Sequence, residues 1–135
     1  MILKPKDVLE KLTHERKCEK NIAVIFFLNK QKRIISTHRH IFFEKSQLKM
    51  SDIFIPAFYV SASFLILAHI KNRENHKRNL EQKEKFQTNS LQPTQFEREL
   101  TNKVITAGNF LNIKLLDHLI VTKKTYYSFH ESGII

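Results

Sequence analysis

Apolar positions along the chain follow two periods. Ile22-Ala23-Val24-Ile25-Phe26-Phe27-Leu28 is an unbroken apolar run of β-branched and aromatic residues, the pattern of a strand buried on both faces. Phe64-Leu65-Ile66-Leu67-Ala68 repeats it and ends at His69. Lys114–Val121 predicts a further strand, Lys123-Lys124 a turn, and Thr125–Phe129 a last strand. Arg33–Thr37 and Ile41–Phe43 are strand pieces of weaker patterning after the polar turn Asn29-Lys30-Gln31-Lys32. Helical spacing marks three other segments. Val8, Leu9 and Leu12 predict a short amphipathic helix from Asp7 to Lys17. Ser51 is placed to N-cap a helix from Asp52 to Val60, with Ile53, Phe54, Ala57 and Phe58 as its apolar face and Pro56 about one turn in. Phe96, Leu100, Val104, Ala107 and Leu111 predict a helix that opens at Thr94-Gln95-Phe96-Glu97 and ends near Gly108–Asn112. Helices alternating with buried strands give an α/β domain with a mixed sheet flanked by helices.

Residues 71–92 break the pattern. Between 71 and 90 only Leu80 and Phe86 are large and apolar, while six Lys or Arg stand against three Glu. Such a segment buries too little surface to offset its ordering entropy, so a basic, mobile insertion is expected there. The domain organisation expected is an N-terminal helix over 1–20 and one domain over 21–135.

Composition narrows the class. At 135 residues the chain fits one domain with a real core. Two Gly and three Pro exclude collagen-like and Gly-rich classes, and the single Cys18 excludes an internal disulfide and Cys-rich zinc modules. Cys18 has no obvious activating base. One cysteine, no signal-like apolar stretch at the N-terminus, and a longest apolar stretch interrupted by Pro56, Ser61, Ser63 and His69 lead to an expected cytoplasmic protein outside the membrane. The net charge of +10 changes the picture further. Residues 29–49 carry Lys30, Lys32, Arg33, Arg39, Lys45 and Lys49 against Glu44 alone. That field suits a phosphate backbone, with Phe42, Phe43 and Phe86 available to stack on bases. Its competitor is a merely solvated basic surface. No helix-turn-helix, zinc finger or Gly-rich phosphate loop is present, and no small-molecule cofactor pattern.

Several blocks, taken in order, carry a resemblance. They are Val24–Asn29, Ile53-Phe54, Ala62–His69, Pro93–Glu97, Leu100-Thr101, Ala107-Gly108, Leu115–Val121, Tyr126–Phe129 and Glu131-Ser132-Gly133. The chain resembles the RadC-like members of the JAB/MPN (JAMM) metalloprotease-type family over roughly residues 5–135. The resemblance implies a single cytidine-deaminase-like α/β domain and zinc-dependent hydrolysis of amide or isopeptide bonds. The implied pattern is a Glu on an early strand, His-x-His-Pro-Ser-Gly after a buried strand, and Pro-Ser-x-x-Asp opening a helix. Two imidazoles and a carboxylate hold zinc, a water fills the fourth position, and the early Glu takes its proton.

Several of these positions are altered. His69 stands at the first His position, but Lys71 stands at the second, and a protonated ammonium cannot ligate zinc. Asn72-Arg73-Glu74 replaces Pro-Ser-Gly. Pro93-Thr94 keeps the hydroxyl of the catalytic Ser position, and Glu97 stands at the Asp position. His38, Arg39 and His40 occupy the early strand where a Glu is implied, with Glu44 the nearest carboxylate. His76 in the insertion is a candidate replacement ligand. Thr94-x-x-Glu97 is also a capping box, which explains both residues without a metal. His69 could equally be a polar residue at a strand end, and Asp117-His118 a structural pair whose carboxylate accepts backbone N–H bonds. Three functions follow as expectations. The first is a domain with an impaired metal centre that binds a protein or nucleic acid, DNA repair being implied by the resemblance alone. The second is an active zinc hydrolase using His69, Glu97 and one of His76, His38 or His40. The third is a basic nucleic-acid-binding module that uses Lys30, Lys32, Arg33 and Arg39.

Overall fold

The computed structural model describes residues 1–2, 4–17, 21–42, 48–71 and 91–135. Among these the elements are α1 (Pro5–Lys11), a 3-10 turn (Glu15–Lys17), β1 (Ile22–Leu28), β2 (Ile34–Ile41), α2 (Met50–Tyr59), β3 (Phe64–Ile70), α3 (Gln95–Leu111), β4 (Lys114–Val121) and β5 (Tyr126–Ser128). The strands form one sheet in the order β2-β1-β3-β4-β5. The β3/β4 pairing is parallel and the other three are antiparallel. A mixed sheet with helices on both faces is the architecture that the hydrophobic pattern predicts.

The unbroken apolar runs have a simple cause: β1 and β3 are inner strands covered on both sides. Ala23, Ile25, Phe27, Leu65 and Leu67 face Ile53, Phe54 and Ala57 of α2 and Leu100 and Val104 of α3. The alternate residues Ile22, Val24, Phe26, Ile66, Ala68 and Ile70 face Val8 and Leu12, so α1 covers the other side. At about 25 cal/mol per Å² of apolar surface, these two layers supply most of the folding drive.

Element ends depart from expectation where local chemistry decides. The first helix begins at Pro5, whose fixed φ suits the first helical position. It stops at Lys11, and residues Glu15–Lys17 form a separate 3-10 turn instead of completing a helix to Lys17. Ser51 does not cap α2. The cap is Lys49, whose N–H donates to the Asp52 carboxylate at 2.9 Å, which moves the start back to Met50. The two weak strand pieces are one strand, β2. It lies at the sheet edge with half-exposed and exposed residues on both faces, so it carries no clean alternation. β3 runs on to Ile70, so His69 lies inside it, paired with Ala23 and Ile120, and not at its end. The last strand is shorter than Thr125–Phe129. The insertion expected at 71–92 and the candidate ligand His76 fall almost wholly outside the described residues.

α3 ends with Asn112 in the left-handed region at φ 57°, and the Asn112 and Ile113 N–H groups both return to the Gly108 carbonyl. This reversal folds the Ile113 carbonyl oxygen onto Gly108, and a Cβ there would collide with it. Gly108→Ala is therefore expected to destabilise the chain by about 1–3 kcal/mol through overpacking, although Ala favours an open helix by about 1 kcal/mol. The urea unfolding midpoint checks the sign, and a stabilised variant contradicts the close approach.

Candidate functional site

The resemblance directs attention to the C-terminal end of β3 and the first turns of α3. The Thr94-to-Glu97 spacing forms the capping box it suggests. Thr94 Oγ1 accepts the Glu97 N–H at 3.1 Å, and Glu97 Oε1 accepts the Thr94 N–H at 2.7 Å. The same Glu97 oxygen lies 2.9 Å from Nζ of Lys71. Lys71 directly follows β3, and its N–H donates to the Val121 carbonyl at 2.9 Å, which fixes its backbone beside β4. Glu97 is 4% exposed, so its charge is compensated by one ammonium and one amide at close range.

Behind this pair runs a buried chain of hydrogen bonds. His69 Nδ1 lies 2.7 Å from His118 Nε2, and His118 Nδ1 lies 2.6 Å from Thr101 Oγ1. Thr101 Oγ1 donates to the Glu97 carbonyl one turn back, at 2.8 Å. A threonine hydroxyl has one proton. With that proton on the Glu97 carbonyl, Thr101 must accept from His118 Nδ1–H. His118 Nε2 then accepts from His69 Nδ1–H, and His69 Nε2 carries only a lone pair. These tautomers are assigned from the network. His69 Nε2 is buried and has no partner among the described residues, and neither has His40 Nε2.

Aromatic rings frame the row. Phe129 stacks on His118 at 4.9 Å and 8°, and Phe42 stacks on His69 at 5.6 Å and 12°. His40 meets Phe42 edge-on at 5.1 Å. Both His40 and His69 pair with Ala23 across β1, and Phe42 packs against the core cluster that contains Ala23. Burial pulls the His69 pKa from 6.5 down to about 4. Lys71 and His40 push the same way, and the Glu97 carboxylate opposes them. Burial also lowers His118 well below its ordinary value, helped by His69 and Lys71. Asp117 serves a different purpose. Its carboxylate accepts the His118 and His130 N–H groups at 2.7 and 3.0 Å and the Ser128 hydroxyl at 2.6 Å, and so pins the C-terminal turn. Burial raises its pKa against those bonds.

As a metal site, the donor set fits poorly. Two buried imidazole nitrogens are bare, on His69 and His40, but the Glu97 carboxylate is engaged by the Lys71 ammonium. Among the described residues no group of three His, Cys, Asp or Glu is placed to hold a metal ion. His38 is exposed on β2, and His76 lies outside the described residues.

The basic residues singled out in the sequence do not converge on this site. Lys30, Lys32 and Arg33 belong to the β1–β2 hairpin, at the opposite end of β1 from Ala23. Lys32 Nζ sits 5.9 Å over the Phe64 ring. Arg39 faces the other side of the sheet, where its Nε bonds the buried Glu15 carboxylate at 2.6 Å. The residues that sequence reasoning missed are Thr101 and the link from His118 to His69. The available signals were the i, i+4 placement of Thr101 after Glu97 and a histidine inside an apolar strand.

Neutral buried imidazoles make stability depend on pH. The unfolded chain binds protons that folded His69 and His118 refuse. Their contribution is thus complete above pH 6.5 and is lost as the pH falls from 6.5 toward 4. From pH 7 to 5, His69 alone removes about 2 kcal/mol. His118 acts in the same direction, and the raised Asp117 carboxyl opposes them at the acid end. Urea midpoints across this window are expected to drop, and a flat profile contradicts the neutral pair. Removing one member of the ion pair by Lys71→Met strands a buried carboxylate and is expected to cost about 1–3 kcal/mol. Lys71→Met/Glu97→Gln is expected to recover most of it, as read by thermal melts.

Comparison with known proteins gives the family. The RadC-like JAB domain model matches residues 2–134. A UPF0758 protein of Photorhabdus laumondii is 32% identical over 120 residues, covering 87% of this chain and 45% of that protein. A UPF0758 protein of Flavobacterium johnsoniae is 50% identical over 44 residues, 33% of this chain and 19% of the relative. The chain thus spans less than half the length of these curated relatives. No helix among the described residues is long and apolar enough to cross a membrane. A sheet of order β2-β1-β3-β4-β5, with His69 on β3 facing the first turns of α3, and a family match over nearly its whole length lead to one conclusion: the chain belongs to the RadC-like JAB domain family.

Proposed function

We propose that this RadC-like JAB domain acts by binding a partner and not by zinc-dependent hydrolysis. The observation that carries this reading is the 2.9 Å contact between Lys71 Nζ and Glu97 Oε1. In the pattern the resemblance implies, the carboxylate at position 97 and an imidazole at position 71 share a dication. Here the side chain at 71 is itself the cation, and it neutralises the carboxylate directly. A zinc ion brought beside His69 would meet the ammonium's charge and would have to displace it from Glu97. One further feature agrees. The early strand on which the resemblance implies a proton-accepting Glu offers His38, Arg39 and His40, and His40 is the one aligned with His69 through Ala23.

The bare Nε2 of His69 favours a second reading, an active zinc centre completed by His40 or His76. Metal content separates the two. Protein purified without added metal is expected to carry far less than one zinc per chain. Stoichiometric zinc that disappears in His69→Ala overturns the binding reading. Lys71→His is expected to leave hydrolysis of model isopeptides undetectable, because no carboxylate base is restored with it. Activity gained by that single change shows that the base lies elsewhere.

A further inference from the structure

The end of the α1 segment meets the β4–β5 turn in a shallow groove of about 260 Å³, lined by Thr13, Arg16, Lys17 and Lys123. A second hollow of about 320 Å³ shares Thr13 and Arg16 and extends toward Lys6 and Glu10 along α1. Three cations thus surround one concavity, and a fourth lies beside its continuation.

Arg16 is held in place by the β4–β5 turn. Its Nε–H donates to the Thr122 carbonyl at 2.9 Å, and Nη2 donates to the Lys123 carbonyl at 3.3 Å. A guanidinium has five N–H donors in a rigid plane. Two are engaged, and the rest stay available on a side chain whose freedom is already restricted. Among the described residues, Arg16, Lys17 and Lys123 form no ion pair. The adjacent Glu15 is turned to Arg39 instead, and Glu10 touches only the second hollow. Cations with no ion-pair partner among the described residues, gathered around a concave surface, are the chemistry that holds phosphate.

We propose that this groove binds the phosphodiester backbone of a nucleic acid, through Arg16, Lys17 and Lys123. Two hollows that share Thr13 and Arg16 suit consecutive phosphates better than a single free one. A bilayer surface is disfavoured because no apolar side chain lines the first hollow, and the exposed Ile55, Phe58, Tyr59 and Phe110 lie on α2 and α3, across the sheet from α1. The overall charge of +10 adds long-range attraction and counterion release. This gives the binding role proposed above a partner and rests on that reading only in this respect. The groove belongs to the α1 side of the sheet, opposite His69, so its failure would leave the metal question untouched.

The test is fluorescence anisotropy of the full chain with a labelled oligonucleotide, single-stranded and duplex, over a salt series. Wild type is expected to bind at low salt and weaken steeply as salt rises. Lys17→Glu/Lys123→Glu is expected to lose about ten-fold or more in affinity and to flatten the salt slope. Lys103→Glu/Lys114→Glu makes the same charge change on exposed residues elsewhere and is expected to stay within about two-fold. Circular dichroism melts establish that both variants fold. Absence of binding at low salt overturns the proposal, as do equal losses in the two variants. Capture by phosphatidylserine vesicles without oligonucleotide binding overturns it in favour of a membrane surface.

Discussion

Thr101 has one proton to give and gives it to the Glu97 carbonyl, and the state of every polar group behind the Lys71–Glu97 pair follows from that. Had the hydroxyl turned to His118, each proton in the row would reverse, and His69 would present an unpartnered N–H to the interior. In the arrangement found, both imidazoles stay neutral and His69 exposes a lone pair. Desolvation penalises charge on either ring, and the nearby ammonium penalises it further. The Phe42 and Phe129 stacks hold the rings at angles that keep the chain continuous.

The ion pair and the neutral row support one another electrostatically. An ammonium needs a carboxylate close by and tolerates neutral imidazoles, whereas a protonated His69 would repel it. Glu97 in turn is oriented by the α3 cap, so the same carboxylate closes the helix end and anchors Lys71. One residue therefore meets a folding requirement and a charge requirement together. For this reason the capping and ligand readings of Thr94-x-x-Glu97 could not be separated by spacing alone.

What the sequence made legible follows from sequence separation. β1 begins and ends where its apolar run does, because both its faces are covered and no alternation is needed, and β4 takes the bounds its pattern predicts, Lys114–Val121. The α3 capping box spans three residues and is read directly. β2 was hard to read because an edge strand is under weak burial constraint. α2 starts before the Ser51 cap that its pattern predicts, because an acidic side chain reaching back to a backbone N–H caps as well as a serine does. The contacts that make the site were less accessible. Lys71 meets Glu97, and His118 meets Thr101, only after α3 is laid against β3 and β4, and nothing in local spacing encodes that docking. The same holds for Arg16, whose carbonyl partners lie on the β4–β5 turn.

Arg16 is separated from the carbonyl that it grips by 106 residues. During synthesis the early segment can form its own turns and cover β1, but its guanidinium has no seat until the β4–β5 turn has emerged. The clasp between the α1 segment and the β4–β5 turn consequently forms only after both have been made. Loss of β4 and β5 would release Arg16 and its turn as well, so damage to one of these segments should reach the other.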